Sequence, residues 1–219
     1  MKVALIGATG FVGAKLLDEA LDRGHAVTAI VRKPEALPDR AGITALKLDI
    51  HDVDALAAAL AGHDAVISSY NPVRGQPGGD EITQLHVAGH KAIIAAIKRS
   101  GVKRFLAVGG AASLKTPDGT ELLDSPGFPK EYEPFKGGIR GTRALYYLLK
   151  EEPELDWVFL SPSAFLQPGE RTGSFRLGKD DLLVDGTGMS RISLEDYAMA
   201  MIDELERPAH HRERFTVGY

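Results

Sequence analysis

"GATGFVG", residues 7–13, is the segment of this 219-residue chain that constrains its architecture most strongly. It lies between the apolar run "KVALI", residues 2–6, and an amphipathic stretch that ends at Gly24, so it joins a predicted buried strand to a predicted helix. Its spacing, G-x-x-G-x-x-G, is a variant of the dinucleotide-binding pattern, in which glycines allow a tight turn, a close approach of pyrophosphate and close packing of helix on strand. The segment therefore predicts a dinucleotide site at the start of the first helix.

The same glycine segment supplies the first group of predicted cofactor contacts. Backbone amides at the start of a helix have no partner within the helix and lie at the positive end of its dipole, so they attract phosphate. The predicted contacts in this segment are Gly7, Thr9, Gly10, Phe11, Val12 and Gly13.

The end of the second predicted strand indicates which dinucleotide binds. In NAD-binding chains an acidic residue about twenty positions after the glycines accepts a hydrogen bond from the ribose 2′-hydroxyl. Arg32 and Lys33 stand at that place here, and a guanidinium can form a fork to a 2′-phosphate. We therefore predict a preference for NADP(H) over NAD(H), and Glu35 close by leaves NAD(H) open as the alternative.

Apolar runs alternate with amphipathic stretches along the rest of the chain. This alternation predicts a doubly wound α/β domain over residues 1–219, a Rossmann fold with a parallel sheet covered by helices on both faces. From about residue 163 onward the pattern is less regular, and we expect a small substrate-side lobe in which "GSFRLG" and "DDLLVDG" form a hairpin. The predicted strands cover residues 2–7, 25–31, 43–49, 64–69, 102–110, 155–162 and 214–219, and the later predicted helices cover 52–62, 80–101, 134–152 and 193–207.

Composition excludes several classes of protein. The chain has 26 Lys and Arg against 30 Asp and Glu, and this mild acidity argues against nucleic-acid binding, which usually needs a basic excess. It has no cysteine, so disulfides and thiolate chemistry are excluded. No apolar run reaches membrane-spanning length, and glycines interrupt the only segment that resembles a signal peptide. We therefore expect a cytoplasmic protein that acts on a small molecule and not at a membrane.

The chain resembles the atypical branch of the short-chain dehydrogenase/reductase superfamily, which includes NmrA-like proteins and NADH-flavin reductases. The likeness extends over essentially the whole chain and rests on "GATGFVG", "IVRKP", "KLDIHD", "SGVKRFLAVGGAASL" and the tail from "LSPSAF" to "RFTVGY". It implies a seven-stranded Rossmann sheet. It also implies cofactor contacts from Asp49 and Ile50 at the adenine, from Ser68, Ser69 and Gly109 along the cofactor, and from the loop Pro162 to Phe165 beside the nicotinamide.

The resemblance raises the question of a catalytic set in "EYEPFK", residues 131–136. Standard members of the superfamily carry a serine at the end of the fifth strand and Tyr-x-x-x-Lys on the next helix, and the ammonium lowers the pKa of the phenol from its usual value near 10. Tyr132 and Lys136 have this spacing. The expected serine position is occupied by "GGAA", so Ser113 could serve only if its loop bends back.

Pro134 lies between the two partners of this predicted dyad. Proline favours the first turn of a helix and pushes the preceding residue away from helical geometry, so the helix is predicted to begin at Pro134 and to leave Tyr132 outside it. The catalytic candidates are therefore Tyr132, Ser113 and Lys136, and the alternatives are Tyr132 acting alone or lining the substrate pocket.

Two further pairs of residues have the spacing or location of a site. His86 and His90 are four apart on the long predicted helix, but the sequence offers no third ligand, so we predict no metal site and expect packing or exposed histidines. Arg74 and Gln76, in the loop after the fourth strand, either gate the substrate or belong to a flexible surface loop.

The sequence leaves the reaction open. The departures from the catalytic set favour hydride transfer to a flavin or quinone, because such rings need little acid catalysis from the protein. The alternative is an NmrA-like sensor of NADP(H), and a sugar-nucleotide epimerase or dehydratase ranks last because the chain leaves little room for a nucleotide-sugar domain. The helix predicted at 80–101 could pair between subunits of a homodimer, although packing on the sheet explains its apolar stripe equally well.

Overall fold

The computed structural model describes residues 1–73 and 75–219, so Arg74, one of the two proposed gating residues, lies outside the described residues. The strands are β1 Lys2–Ile6, β2 Ala26–Val31, β3 Ile43–Lys47, β4 Ala65–Ser68, β5 Arg104–Val108, β6 Asp156–Pro162, β7 Phe165–Gln167, β8 Arg176–Gly178, β9 Arg191–Ser193 and β10 Glu213–Gly218. The α-helices are α1 Gly13–Asp22, α2 Val53–Leu60, α3 Asp80–Ser100, α4 Lys136–Lys150 and α5 Leu194–Glu206.

The main sheet has the strand order β3-β2-β1-β4-β5-β6-β10-β8. Seven of these strands run parallel, and β8 pairs antiparallel with β10 at the edge. The predicted doubly wound Rossmann sheet is therefore confirmed, with one additional antiparallel strand. Because the seven strands are parallel, the loops that follow β1, β2, β4, β5 and β6 meet along one edge, which is where such sheets bind ligands.

Each face of the sheet has its own apolar core, as the near-continuous apolar strands predict. Successive side chains of β1 alternate between the faces: Leu5 packs with α1 and α5 around Tyr197, and Ile6 packs with α2, α3 and α4 around Phe105. Burying one side chain of this size stabilises the fold by about 1.5–3 kcal/mol. No helix formed by the described residues has the length and apolar character that a membrane span requires.

The expected hairpin in the C-terminal lobe is wrong. β8, within "GSFRLG", pairs with β10 instead, and "DDLLVDG" contains no strand of its own, although Asp181 forms an isolated bridge with Lys115. The reason is tertiary: β10 offers an unpaired edge, and Arg214 on β10 binds Asp180, two residues after the end of β8. The rest of the lobe is a two-stranded parallel sheet in which β7 pairs with β9.

Candidate functional site

The glycine segment forms the turn that the sequence predicts, and its glycines have steric reasons. Gly7 has φ +81°, and a Cβ there would lie 2.7 Å from the carbonyl oxygen of Ser69 at the end of β4. A Cβ on Gly13 would overlap the carbonyl oxygen of Gly7. The amide of Gly10 donates to the same oxygen at 3.0 Å. The segment thus holds the start of α1 against the ends of β1 and β4, where only glycine fits.

Backbone donors are available at the start of α1. The N-cap residue is Val12, and no side chain caps this end of the helix. The amides of Phe11, Val12 and Gly13 donate to no backbone acceptor in the described part of the chain. Such amides at the positive end of a helix suit a phosphate group. The Phe11 side chain beside them is 58% exposed, an apolar ring left at the mouth of the cleft. These positions fit the pyrophosphate of a dinucleotide.

The predicted adenosine residues lie together at the ends of β2 and β3, which are neighbours in the sheet. Arg32 and Lys33 follow β2, and the Asp49 carboxylate accepts a hydrogen bond from the amide of His51 in the turn after β3. Arg32 and Asp49 both act on the phenol of Tyr70. Burial raises the pKa of Tyr70, the charge of Arg32 lowers it, and that of Asp49 raises it.

Tyr70 is a residue of this cleft that the sequence reasoning missed. It directly follows Ser69 at the end of β4, so its place in the chain carried the signal. Its ring fits against Gly89 of α3, where a Cβ would overlap it, and meets His90 edge-on with ring centroids 5.3 Å apart. Tyr70 is therefore fixed between α3 and the predicted adenosine end of the cleft.

The remaining predicted cofactor residues also reach this edge of the sheet. Ser69 donates its amide to Ile6 at 2.9 Å, and Gly109 donates to Leu160 at 2.9 Å. A Cβ on Gly109 would lie 2.5 Å from the Phe159 ring. Pro162 ends β6 and Phe165 begins β7, while Ile50 packs partly buried against the α2–α4 face. Ser68 is buried, and its hydroxyl accepts from the Tyr70 amide, so it shapes the turn. Cofactor contact by these residues stays a prediction.

Tyr132 and Lys136 lie in two different helical segments of the structure. Tyr132 lies in a 3-10 segment, Lys130–Phe135, and α4 begins at Lys136, two residues later than expected. The prediction that Tyr132 lies outside the α-helix is confirmed. The ammonium of Lys136 binds the Glu133 carboxylate at 2.6 Å and lies 5.3 Å from the centroid of the Phe128 ring. Lys136 is therefore paired with an acid in this structure, and its action on the Tyr132 phenol stays a prediction.

Ser113 is likewise unsuited to the predicted catalytic role. It is buried, and Arg214 donates to its hydroxyl at 2.8 Å and to its carbonyl oxygen at 2.9 Å. The guanidinium also lies 4.3 Å from the centroid of the Tyr146 ring. The loop after β5 does bend back, as catalysis would require, but it bends onto β10. Ser113 therefore belongs to a structural network.

His86 and His90 are packing residues, and the exposed alternative is wrong. Their relative exposures are 1% and 3%, and both ring nitrogens of His86 and Nδ1 of His90 have no hydrogen-bond partner. Gly141 lets α4 close directly over His86. Burial lowers the pKa of His86 to about 4 and, together with the neighbouring His86, lowers that of His90 to about 3. The described residues contain no cluster of potential metal ligands.

An apolar groove of about 680 Å³ lies in the C-terminal lobe, next to the carboxyl end of β6. Its floor is formed by side chains of β7, β9 and the last residue, and its rim by the segment after β7, which we call the strap (residues 168–174). The lining residues are Phe165, Gln167, Pro168, Gly169, Glu170, Thr172, Ser174, Met189, Arg191, Ile192, Ser193 and Tyr219. The sequence reasoning placed a substrate lobe here but, apart from Phe165, did not single out these residues.

The fold and the glycine loop agree with a comparison to known families. Residues 7–205 match the family model described as NAD(P)H-binding. The chain belongs to the NAD(P)H-binding family. The match shows an NAD(P)H-binding domain, and the preference for NADP(H) over NAD(H) stays a prediction from Arg32 and Lys33.

Solved structures resemble this NAD(P)H-binding protein along its whole length. A candidate epimerase from Bacteroides thetaiotaomicron is 48% identical, with TM-score 0.89 over 100% of this chain and 96% of that one. A candidate exported protein from Burkholderia pseudomallei is 41% identical, with TM-score 0.87 over 100% of both chains. A candidate NADH-flavin reductase from Streptococcus pneumoniae is 33% identical, with TM-score 0.83 over 100% and 99%. Their names differ although their folds agree, so the shared fold does not fix the reaction.

Proposed function

We propose that this protein is an NADPH-dependent reductase whose acceptor is a conjugated ring, a flavin or a quinone. The observation that carries the proposal is the combination of an intact glycine loop with other partners for two members of the predicted catalytic set. Lys136 is paired with Glu133, and Ser113 is held by Arg214. A carbonyl reductase needs a positioned proton donor, whereas a flavin or quinone can accept hydride at a ring position.

The residues of this chain then serve to hold two rings face to face. The amides of Phe11, Val12 and Gly13 would fix the pyrophosphate, and Phe165 is expected beside the nicotinamide. When bound, the reduced dinucleotide supplies a hydride, which carries two electrons and one proton, and the reduced acceptor takes its second proton from solvent. The apolar groove that begins at Phe165 would exclude water and align the acceptor, a proximity effect.

The preference for NADPH rests on Arg32. It follows β2 at the place where the ribose is expected, and its electrostatic effect on Tyr70 indicates that its charge lies near the cleft. A guanidinium fork to a 2′-phosphate is a strong charge-assisted contact. We expect Arg32→Ser to raise the KM for NADPH about tenfold or more and to change the KM for NADH little. Arg140→Ser, which removes an exposed guanidinium from α4, is the matched control.

The test of the reductase function is NADPH oxidation followed by absorbance, with FMN, riboflavin, a quinone series and simple carbonyls as acceptors. Wild type and Tyr132→Phe are compared side by side. We expect turnover of flavins or quinones that survives the substitution. Turnover of a carbonyl that Tyr132→Phe abolishes would overturn the proposal, since Tyr132 would then be a proton donor.

If neither wild type nor Tyr132→Phe oxidises NADPH with any acceptor while NADPH still binds, the sensor function would be supported instead. The other partners of Lys136 and Ser113 are also compatible with a sensor. The epimerase named for the Bacteroides relative is a weaker candidate, because epimerisation needs positioned acid–base groups, and Lys136 and Ser113 have other partners here. A cytoplasmic location and a homodimer stay predictions.

A further inference from the structure

We propose that the lobe groove selects a ring acceptor that carries an acidic group, and that Arg191 binds that group. The inference rests on the reductase function proposed above and names the substrate class more narrowly: a flat conjugated ring bearing a phosphate or carboxylate, with FMN as the probe. Four features of the groove carry it, namely its position, its apolar floor, its fixed strap and the charge on its wall.

The groove adjoins the predicted dinucleotide site. Phe165 on its floor comes three residues after Pro162, the carboxyl end of β6. On the other side, the Gly169 amide donates to Glu195 at 2.8 Å, and Glu195 pairs with Lys15 at 3.1 Å. Lys15 lies in the first turn of α1, the turn predicted to hold phosphates. An acceptor in this groove therefore lies beside the cofactor cleft.

The floor of the groove suits a flat ring. Phe165 and the Tyr219 ring line its apolar base, and Met189 at its lip is 48% exposed. Aromatic and thioether side chains pack well against a conjugated ring. A flat ring that covers this exposed apolar surface removes it from water, which favours binding of the ring.

The strap is fixed in place, so the groove does not have to be ordered by its ligand. Buried Asp196 accepts hydrogen bonds from the Thr172 hydroxyl at 2.5 Å, the Gly173 amide at 2.9 Å and the Tyr219 hydroxyl at 2.8 Å. The Ser193 hydroxyl donates to the carbonyl oxygen of Glu170 at 2.8 Å. Preorganisation of this kind lowers the entropic cost of binding.

Arg191 places an accessible guanidinium in this groove. It is the register partner of Phe165 across the β7–β9 pair, so the two side chains leave the sheet on the same face. The Arg191 side chain is 53% exposed, and its Nε donates to Asp185 at 2.7 Å. Its two Nη nitrogens donate to none of the residues that the structure describes. These nitrogens match the oxygens of a phosphate or carboxylate.

Asp185 holds the Arg191 side chain in place by one hydrogen bond to Nε and leaves the two Nη nitrogens available. One carboxylate oxygen of Asp185 is already occupied by the amide and hydroxyl of Thr187 and by the amide of Met189. The hydroxyl of Thr187 is the main reason that the pKa of Asp185 is lowered, and burial opposes it. The carboxylate therefore stays charged at neutral pH and holds Arg191 by Nε alone.

Glu170 on the strap sets the orientation of an acidic acceptor. Its side chain is exposed and lines the groove, and it makes no ion pair within the described ranges. A negative group in the groove is repelled by Glu170 and attracted by Arg191. An acidic acceptor is thus expected to bind with its ring on the floor and its charge toward β9.

The experiment compares FMN with riboflavin, which have the same ring and differ in the phosphate. We measure kcat/KM for both with NADPH in wild type, Arg191→Gln, Arg191→Lys and Glu170→Gln, with Arg140→Gln as a matched surface control. We expect wild type to prefer FMN about tenfold or more, as a charge-assisted pair implies. Arg191→Gln should bring the preference close to one, Arg191→Lys should retain part of it, and Glu170→Gln should lower the KM for FMN.

A wild type that uses FMN and riboflavin equally would overturn the proposal, and so would an Arg191→Gln variant that lowers both activities alike, which would mark a purely structural role. Thermal melting of each variant checks that it folds. Binding is measured in parallel by flavin fluorescence in the presence of NADP⁺. Preferential binding of FMN without turnover would refute the reductase function and support the binding of an acidic group by Arg191. Turnover of both flavins without a preference for FMN would support the reductase function and refute the role of Arg191.

Discussion

The buried pair His86 and His90 is expected to make the folding stability of this protein fall between pH 8 and pH 5. Both rings lie between α3, α4 and Tyr70, and three of their four nitrogens lack a partner. Tyr70 is the only other titratable group among their ring neighbours in the described residues. A proton added to either ring would place an unpaired charge in an apolar core, so the folded chain keeps both neutral.

The sign and size of the effect follow from the two pKa values. A histidine takes up a proton near pH 6.5 in the unfolded chain, but near pH 4 at His86 and near pH 3 at His90 in the folded chain. As the pH falls below 6.5 the unfolded chain gains protons that the folded chain does not bind, and stability is lost. Between pH 8 and pH 5 the loss is about 2 kcal/mol per histidine, or about 4 kcal/mol for the pair.

The assay is urea unfolding followed by circular dichroism from pH 8 to pH 5, on wild type and on the double variant His86→Leu/His90→Leu. Leucine has a similar volume, so at pH 8 the double variant should lie within about 1.5 kcal/mol of wild type. From pH 8 to pH 5, the free energy of unfolding of the double variant should rise by about 4 kcal/mol relative to that of wild type. His51→Leu, which removes an exposed histidine, should keep the wild-type dependence.

Carboxylates whose pKa values are lowered, such as Glu19 and Glu195, titrate below this window and do not imitate the effect. Equal pH dependence in wild type and the double variant would refute the reasoning. It would mean that the rings are protonated in the folded chain or that the two histidines are solvated.

Three further substitutions test other parts of the structure. Gly13→Ala puts a Cβ onto the carbonyl oxygen of Gly7 and should weaken NADPH binding about tenfold or more in a fluorescence titration, whereas Gly127→Ala, with nothing within 4 Å, should not. Glu204→Gln removes the charge that buried Arg104 meets at 2.5 Å, while Asp156 remains at 3.2 Å, and should lower the free energy of unfolding by about 2 kcal/mol in urea; a loss below about 0.5 kcal/mol would contradict this. Asp196→Ala releases the strap and should raise the KM for the acceptor more than that for NADPH; equal changes would count against a role in the groove.

Local sequence pattern predicted the elements of this fold because periodicity and glycine spacing are local properties. The apolar runs became the parallel strands, and "GATGFVG" became the turn between β1 and α1. Residues predicted for the cofactor from the ends of β1, β2, β4 and β5 meet at one edge because parallel strands end together. The position of Pro134 also predicted that Tyr132 lies outside the α-helix.

Partner choice could not be read from these patterns, because it depends on contacts between residues far apart in the chain. Ser113 and Arg214 are 101 positions apart, and their hydrogen bond turns a catalytic candidate into a structural residue. Lys136 is close in sequence to Glu131, Tyr132 and Glu133, and in the folded chain it pairs with Glu133. Edge pairing with β10 moved β8 out of its predicted hairpin.

The same distinction separates the two ends of the candidate site. The predicted phosphate-binding part of the dinucleotide end is one contiguous segment, residues 7–13, so glycine spacing along the chain was enough to predict it. The acceptor end is built from β7, the strap, β9 and the last residue of the chain, and Arg191 meets Phe165 only through the pairing of two short strands. The pairing of β7 with β9 depends on how the whole lobe packs, so a local sequence pattern cannot predict it.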